Sequence, residues 1–219
     1  EFVRSSLQRE LEFRANFIAK LFQNLTWLAF FLVILSVTYS HTTSLAGWDR
    51  YEALLLTGTC FFVDCVVRTF CMSLLELPEQ VRQGTLDFVV TKPMDAQLWI
   101  STRKVQFDQI GQLLLAFGLV IYGASHLGHS VGLFNIAEYV LLVVCAILIY
   151  YSVLLGLMTL AIWFVRVENL WVLGETTFQV TRYPMDIFPV GVRQALTFAV
   201  PIAFLATIPA NALRQPHGS

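Results

Sequence analysis

Charged residues are scarce in this chain of 219 residues. Asp, Glu, Lys and Arg make up 13% of it, whereas hydrophobic residues make up 57% and the mean hydropathy is +0.67. Soluble domains average about 25% charged residues. The composition therefore excludes an ordinary soluble domain and predicts an all-α membrane protein. A formal net charge of −1 leaves no basic excess for nucleic acid, so no nucleic-acid partner is expected.

Short motifs that carry common chemistry are also missing. The sequence has no G-x-x-x-x-G-K-[ST] to cradle the phosphates of ATP, and neither HExxH nor CxxC occurs. The four cysteines lie in apolar segments and are interpreted as small buried hydrophobes. His126 and His129 could share a metal ion, but two ligands make a poor site and a solvated loop is the better interpretation. We expect no catalytic residue, no cofactor and no metal in this chain.

Long apolar runs define the organisation of the chain. A run of about 20 residues can cross a bilayer as a helix. The fifth run is weaker, because it contains Glu168, Asn169, Glu175 and Gln179, and it should insert only when packed against protein or facing a cavity. The sequence therefore predicts six transmembrane helices, at about residues 21–39, 51–77, 110–127, 136–165, 167–182 and 192–213.

The segment before the first span is amphipathic. Apolar residues recur at helical spacing over residues 7–20, with charged residues largely off that stripe. This pattern predicts an interfacial helix at the membrane surface, and the alternative is an ordinary extension of the first span. No cleavable signal peptide is expected, because the first apolar run is too long for one. Residues 1–213 are expected to form a single transmembrane domain, and residues 214–219 a tail that includes a tag remnant.

Lysine and arginine are distributed unevenly between the two sides of the predicted spans. Of fourteen basic residues, ten fall at the N-terminus, in the 77–108 loop, after the fourth span or in the tail; three fall on the other side and Arg68 lies within the second span. Basic residues are in excess in cytosolic loops. The sequence thus predicts a multi-pass protein of the inner (cell) membrane with both termini and the 77–108 loop in the cytosol.

Ionisable residues inside the spans form two patterns. Asp64 and Arg68 are four residues apart and share one helix face, so they can neutralise each other. Glu168, Glu175 and Arg182 recur every seven residues and also share a face. Such residues are costly in a membrane and usually line a cavity or a bundle interior. The first group could line a translocation path or form a structural ion pair; the second could face a water-filled surface or simply emerge into solvent.

The 77–108 loop is polar and carries helix signals. Pro78 suits the first turn of a helix, Glu79 favours its positive end and Gly84 suits its stop, which predicts a short helix at residues 78–83. A second helical stretch, residues 85–91, should end before the Lys92-Pro93 pair. Short, charged cytosolic helices are what an ATPase needs in order to push on a membrane domain. The alternative is an interfacial loop without a partner.

Residues 84–94, G-T-L-D-F-V-V-T-K-P-M, are similar to the G-x-L-D-x-x-L-x-R-P-V signature of ABC-2 family permeases of ABC transporters, in their six-span bacterial branch. Lys92 stands where arginine is more usual, which keeps the charge but loses a bidentate fork. Asp108 fits an acidic position that opens the third span in that branch. Residues 183–189 and 201–210 resemble its C-terminal pattern.

The resemblance implies the permease subunit of an ABC transporter that exports a drug-like, lipid or glycan substrate by alternating access at a permease dimer interface. Its implied partners are a cytosolic ABC ATPase that binds ATP and Mg, a second copy or a paralogue, and membrane lipid. The ATPase-coupling candidates are Glu79, Arg82, Gly84, Asp87, Lys92 and Pro93. The candidates for the translocation path are Asp64, Arg68, Glu168 and Glu175. If acidic residues dominate the lining of that path, a cationic or amphiphilic substrate is favoured.

A rival interpretation is an ATPase-independent secondary carrier or a membrane assembly protein. A secondary carrier should show inverted repeats with Gly- or Pro-broken helices at matching positions in its two halves. No such repeat is visible in this sequence, and the breaks cluster near the C-terminus.

Overall fold

A computed structural model describes residues 14–85, 87–88, 91, 95–128, 131–160, 172, 175–176, 178–198 and 201–214. Most of these residues are helical. Two short strands, Ser44–Leu45 (β1) and Trp48–Asp49 (β2), pair antiparallel as a hairpin between the first two long helices. The all-α membrane class fits this architecture, with the hairpin as an addition that the sequence analysis did not foresee.

Eight α-helices and five 3-10 helices are described. The α-helices are Arg14–His41 (α1), Arg50–Cys71 (α2), Leu77–Arg82 (α3), Ala96–Thr102 (α4), Ile110–Ser125 (α5), Leu133–Thr159 (α6), Val190–Phe198 (α7) and Thr207–Arg214 (α8). The 3-10 helices are Met72–Glu76, Phe107–Gln109, Val180–Arg182, Met185–Ile187 and Ile202–Leu205.

Four segments within the described residues are long and apolar enough to cross a membrane. They are Phe17–His41, Arg50–Arg82, Phe107–Ser125 and Leu133–Thr159, and they correspond to the first four predicted spans. The second segment is the centre of the bundle, because 67% of its most apolar window is buried inside the protein, against 11% for the first segment. The first helix is therefore a peripheral wall with most of its surface turned outwards.

The closest helix pair, α2 and α5, meets at two glycines. A Cβ atom added at Gly58 would lie 2.9 Å from the backbone nitrogen of Val120, and one added at Gly123 would lie 2.9 Å from the backbone nitrogen of Leu55. Neighbouring carbon atoms normally pack about 3.5–4.0 Å apart. The missing side chains therefore allow the two helix backbones to approach closely in both directions.

The β-hairpin marks one end of the bundle, which we call the hairpin end. Trp48 is fully buried there, and its carbonyl oxygen accepts a hydrogen bond of 2.9 Å from the Tyr39 hydroxyl. The Asp49 amide donates to Glu52 Oε2 at 2.8 Å, in a capping arrangement that starts α2. The opposite end, formed by those of residues 77–108 that the structure describes, is called the loop end.

The predicted sixth span is not one helix. Its described residues form α7, a 3-10 helix and α8, with Pro201 before the 3-10 helix, where proline cannot donate a backbone hydrogen bond. Arg193 of α7 pairs at 3.0 Å with Asp186, which also accepts a 3.0 Å bond from the Trp48 indole. At the other end of this segment, the Arg214 guanidinium lies 3.0 Å from the Glu52 carboxylate.

Both ends of the 190–214 segment therefore lie at the hairpin end. Between them, the 3-10 helix Ile202–Leu205 packs against the 3-10 helix Val180–Arg182, and Ala203 packs against Met185. The segment thus enters the bundle and returns to the side from which it started. The prediction that residues 192–213 cross the membrane is wrong for this structure. Placing Arg214 on the same side as the 77–108 loop was wrong for the same reason.

Two other predicted segments are only partly described. Residues 14–20 belong to α1 and continue directly into the first span, as the alternative to a separate interfacial helix requires, while residues 7–13 lie outside the described residues. Half of the predicted fifth span, 167–182, also lies outside them. Its described C-terminal part is helical up to Arg182.

Candidate functional site

A cavity of about 600 Å³ lies between α1, α2, the beginning of α5 and residues 175–182. We call it the polar cavity. Alpha-helix α1 contributes six of its described lining residues, between Phe22 and Phe30, and three of those are aromatic. The remaining described lining is charged or carries side-chain amides, and consists of Asp64, Arg68, Gln109, Gln112, Glu175 and Arg182.

Three of the four residues predicted for the translocation path meet at this cavity. Arg68 Nε donates to both carboxylate oxygens of Asp64, at 2.9 and 3.0 Å, and Arg68 Nη2 donates to Glu175 Oε1 at 2.9 Å. The Tyr150 hydroxyl donates to Asp64 Oδ1 at 3.4 Å. Arg68 therefore joins α2 to the segment that follows α6, over 107 residues of sequence. The fourth candidate, Glu168, lies outside the described residues.

Arg182 is a cavity residue that the site predictions omitted. It is only 8% exposed, and its guanidinium carbon lies 4.9 Å from the ring centre of Phe61 and 5.4 Å from that of Trp27. Its Nε atom is buried and has no hydrogen-bond partner among the described residues. The seven-residue spacing from Glu175 was the available signal, but the sequence analysis placed Arg182 at the end of a span rather than in the interior.

Charge in the cavity is balanced rather than acidic. The described lining holds two carboxylates, Asp64 and Glu175, and two guanidinium groups, Arg68 and Arg182. Both carboxylates are hydrogen-bonded to Arg68. The condition under which a cationic substrate was favoured, an acidic lining, is therefore not met in the part of the cavity that the structure describes.

Asp108 closes the cavity region at the loop end. It is 5% exposed and belongs to the 3-10 helix Phe107–Gln109 that leads into α5. Its carbonyl oxygen accepts a hydrogen bond of 3.4 Å from the Asn24 side chain, and its carboxylate accepts one of 3.3 Å from Gln109. Asp108 thus connects α1 to the start of α5 and does not face the loop surface.

The predicted short helix of the loop is present as α3. Pro78 lies in its first turn, and Gly84 ends it with a φ of 66°, a backbone conformation that favours glycine. The Gly84 amide donates to the Val81 carbonyl at 3.2 Å, and the Thr85 amide donates to the Gln80 carbonyl at 3.0 Å. These two bonds form a Schellman motif, which satisfies carbonyls at the helix end.

One face of α3 is buried and the other is exposed. Leu77 and Gln80 point into the protein, at 3% and 8% exposure. Glu79 and Arg82 point outwards and pair with each other at 2.5 Å. Two of the predicted coupling residues therefore form a charged pair on the exposed face of a helix whose other face is buried.

The residues just before α3 fix it to the segment around α4. Glu76, just before α3, pairs with Arg103 and Lys104. The Ser73 hydroxyl donates to the Ser101 carbonyl at 2.5 Å. Within α4, Ser101 also shares a 2.8 Å hydrogen bond with the Tyr151 hydroxyl of α6. The loop end is therefore an ordered surface that is attached to two of the long helices.

The remaining coupling candidates lie just beyond Gly84. Asp87 and Phe88 are helical and exposed, and Phe88 is 72% exposed. The Thr91 amide donates to the Asp87 carbonyl at 3.1 Å, which is the spacing of one helical turn. Lys92 and Pro93 lie outside the described residues, so the structure does not place them.

Residues 128–132 read G-H-S-V-G and match the pattern G-x-S-x-G, so the expectation that this motif is absent was wrong. A nucleophile elbow of that pattern lies between a strand and a helix. Here the preceding element is α5, which ends at Ser125, and Ser130 lies outside the described residues. The context therefore does not match that of a catalytic serine.

Comparison with protein families gives one match that covers most of the chain. Residues 25–216 match the model of the ABC-2 family transporter proteins. The chain belongs to this family. No curated protein and no solved structure matches it.

Family membership makes the chain an ABC-2 permease and a membrane protein of an ABC transporter, and it implies an ATPase partner. The resemblance predicted from residues 84–94 is thereby confirmed. The match includes the loop end and the described lining of the polar cavity from Thr26 onwards. The two regions are joined on α2, where the Thr69 carbonyl, next to Arg68, accepts a 3.0 Å hydrogen bond from the Gln106 amide of the loop end.

Proposed function

We propose that this ABC-2 permease is the transmembrane subunit of an ATP-driven exporter, and that its loop end binds the ATPase subunit on the cytosolic side. The observation that carries the proposal is the exposed Glu79–Arg82 pair on a helix anchored through Glu76, Ser73 and Ser101. A helix that transmits the movement of an ATPase must be accessible to it and firmly attached to the membrane domain, and α3 meets both conditions. Exposed Asp87 and Phe88 extend the same surface.

The polar cavity is proposed as part of the translocation path. Charged groups are costly inside a membrane and are retained where they meet a substrate or water. Asp64, Arg68 and Glu175 form one network at the cavity, and the peripheral α1 forms the opposite wall. Their alternative role, a structural ion pair between helices, is compatible with the same geometry and would leave transport unaffected by a charge-conserving swap.

Substrate and assembly follow the family resemblance. The exported molecule is proposed to be drug-like, a lipid or a glycan, moved by alternating access at the interface of two permease copies or of a permease and a paralogue. Outward apolar faces on α1 and α6 leave room for a second copy and for lipid. ATP and Mg would be bound by the ATPase subunit.

The coupling role of the loop end is tested by charge reversal. The double variant Arg82→Glu/Asp87→Lys should retain at least tenfold less ATPase subunit on the tagged permease after mild detergent extraction, because charges across an interface set partner recognition. A tenfold loss corresponds to about 1.4 kcal/mol. The matched control is Arg50→Glu, which reverses an exposed arginine at the hairpin end and should leave retention unchanged.

Membrane insertion and monodispersity of each variant show whether it is folded. If the folded double variant retains the ATPase subunit normally and turns over ATP normally, the loop end is not the coupling surface. If the unaltered permease is recovered without any ATPase, under extraction that preserves other transporter complexes, the rival becomes the better interpretation. That rival is an ATPase-independent carrier or an assembly protein.

A further inference from the structure

We propose that Arg182 is the anion-binding group of the polar cavity, and that the cavity takes an amphiphile with an anionic head. This inference rests on the proposed function, because it assigns a substrate class to the path. It is carried by the burial of Arg182, the aromatic rings around it and the engagement of the cavity carboxylates elsewhere.

Arg182 is more than nine-tenths buried and lines the cavity. Its guanidinium lies over Trp27, Phe31 and Phe61, at 4.9 to 5.9 Å from the ring centres. An aromatic ring face attracts a cation, but it does not provide the acceptor atoms with which the five N–H groups of arginine form directed hydrogen bonds. The buried Nε has no partner among the described residues. The Arg182 guanidinium therefore has unused donor capacity, to which a carboxylate, phosphate or sulfate group would bind.

Arg68 provides the contrast within the same cavity. Its guanidinium pairs with both Asp64 and Glu175, each at 2.9 Å. Those are the two carboxylates of the described lining, so their charge is already engaged with Arg68. Both carboxylates bind Arg68 rather than Arg182, so the Nε atom of Arg182 has no acceptor among the described cavity residues.

The cavity is too large and too aromatic for a small free anion. Its volume of about 600 Å³ falls in the range of sites for drug-sized molecules, about 300–1,000 Å³. Phe22, Trp27 and Phe30 line it, and Phe22 and Phe30 are also 71% and 57% exposed on the outer surface of α1. An apolar tail could therefore follow α1 towards lipid while the anionic head lies at Arg182. Asn24 and Gln112 add side-chain amides to the lining.

Binding by the purified permease in phosphatidylcholine nanodiscs tests the inference without an ATPase. The probe is decyl phosphate, and the readout is the saturable part of the tryptophan fluorescence change that disappears in Trp27→Phe. The matched probe is decyl trimethylammonium, which has the same tail and the opposite charge. We expect saturable binding of decyl phosphate and none of decyl trimethylammonium.

Variants then locate the binding group. Arg182→Gln should weaken decyl phosphate binding at least tenfold, and Arg182→Lys should weaken it less, because the charge is kept and the fork is lost. Arg50→Gln, at an exposed arginine where α2 begins at the hairpin end, should bind like the unaltered chain. If Arg182→Gln does not fold, the comparison of the two probes on the unaltered chain still decides the charge preference.

Several outcomes would overturn the inference. Equal binding of the two decyl probes would exclude an anion site. Binding of inorganic phosphate as tight as that of decyl phosphate would exclude an amphiphile and leave a free-anion site. Full binding by a folded Arg182→Gln variant would place the anion elsewhere. If these binding tests fail while the Arg82/Asp87 double variant loses the ATPase as expected, only this inference is rejected. If the binding tests succeed while that double variant retains the ATPase, only the coupling proposal is rejected.

Discussion

The contact of α2 with α5 depends on glycine, and Gly123→Ala tests this dependence. A methyl group at Gly123 would meet the backbone nitrogen of Leu55 at 2.9 Å and its Cα and Cβ atoms at 3.0 Å. Ordinary carbon contacts are about 3.5–4.0 Å. Because two of these atoms belong to the backbone, no rotamer change can relieve the overlap, and one helix has to move by roughly half an ångström or more.

The expected cost follows from two opposing terms. Overpacking a close contact costs about 1–3 kcal/mol. Replacing glycine by alanine inside a helix gains up to about 1 kcal/mol from helix propensity. Gly118, on the same helix, is exposed and has nothing within 4 Å of an added Cβ. Gly118→Ala therefore retains the gain without the clash, and the difference between the two variants isolates about 1–3 kcal/mol of overpacking.

The assay is unfolding of the purified permease in mixed detergent micelles as the fraction of sodium dodecyl sulfate is raised, followed by tryptophan fluorescence. We expect the midpoint of Gly123→Ala to fall below that of Gly118→Ala, and Gly58→Ala to behave like Gly123→Ala because its added Cβ meets the Val120 backbone nitrogen at 2.9 Å. If Gly123→Ala is at least as stable as Gly118→Ala, the two helices do not pack as closely as the structure shows.

Two further predictions concern the polar cavity and the loop end. Arg68→Gln leaves buried Asp64 without its cation and should cost about 3–5 kcal/mol of stability in the same unfolding assay. The double variant Asp64→Asn/Arg68→Gln should recover most of that loss. Equal losses in the single and double variants would show that the pair is not coupled. Gly84→Ala meets no neighbouring atom but must adopt a φ of 66°, so it should cost about 1–2 kcal/mol locally and speed proteolysis near α3, and unchanged cleavage would argue against the Schellman stop.

The first four spans and the α3 helix could be predicted because their signals are local. Apolar runs fix the spans, and Pro78 with Gly84 fixes the start and stop of α3. The Asp64–Arg68 pair was also predictable, since a spacing of four residues places both side chains on one helix face. Their meeting with Glu175 follows from packing between segments 107 residues apart, and spacing along one helix carries no information about that distance.

The error in the C-terminal segment has a physical cause. Hydropathy reports how apolar a segment is, but not whether the segment crosses the bundle or turns back within it. Residues 192–213 are apolar enough on average to suggest a span, yet Arg193 and Arg214 each find an acidic partner at the hairpin end. These two ion pairs hold both ends of the segment on one side, and Pro201 interrupts the helix between them. The sequence shows the arginines and the proline, whereas their partners become visible only once the helices are packed.

Arg182 was misplaced for a related reason, and its position links the two regions of the permease. The 3-10 helix that ends at Arg182 packs on the one formed by Ile202–Leu205, so the returning segment supports it from behind. In front of it, α1 carries Trp27 and, one turn closer to the loop end, Asn24, which is hydrogen-bonded to the Asp108 carbonyl. A displacement of the loop end that moves Asp108 would therefore pull on the α1 wall of the cavity.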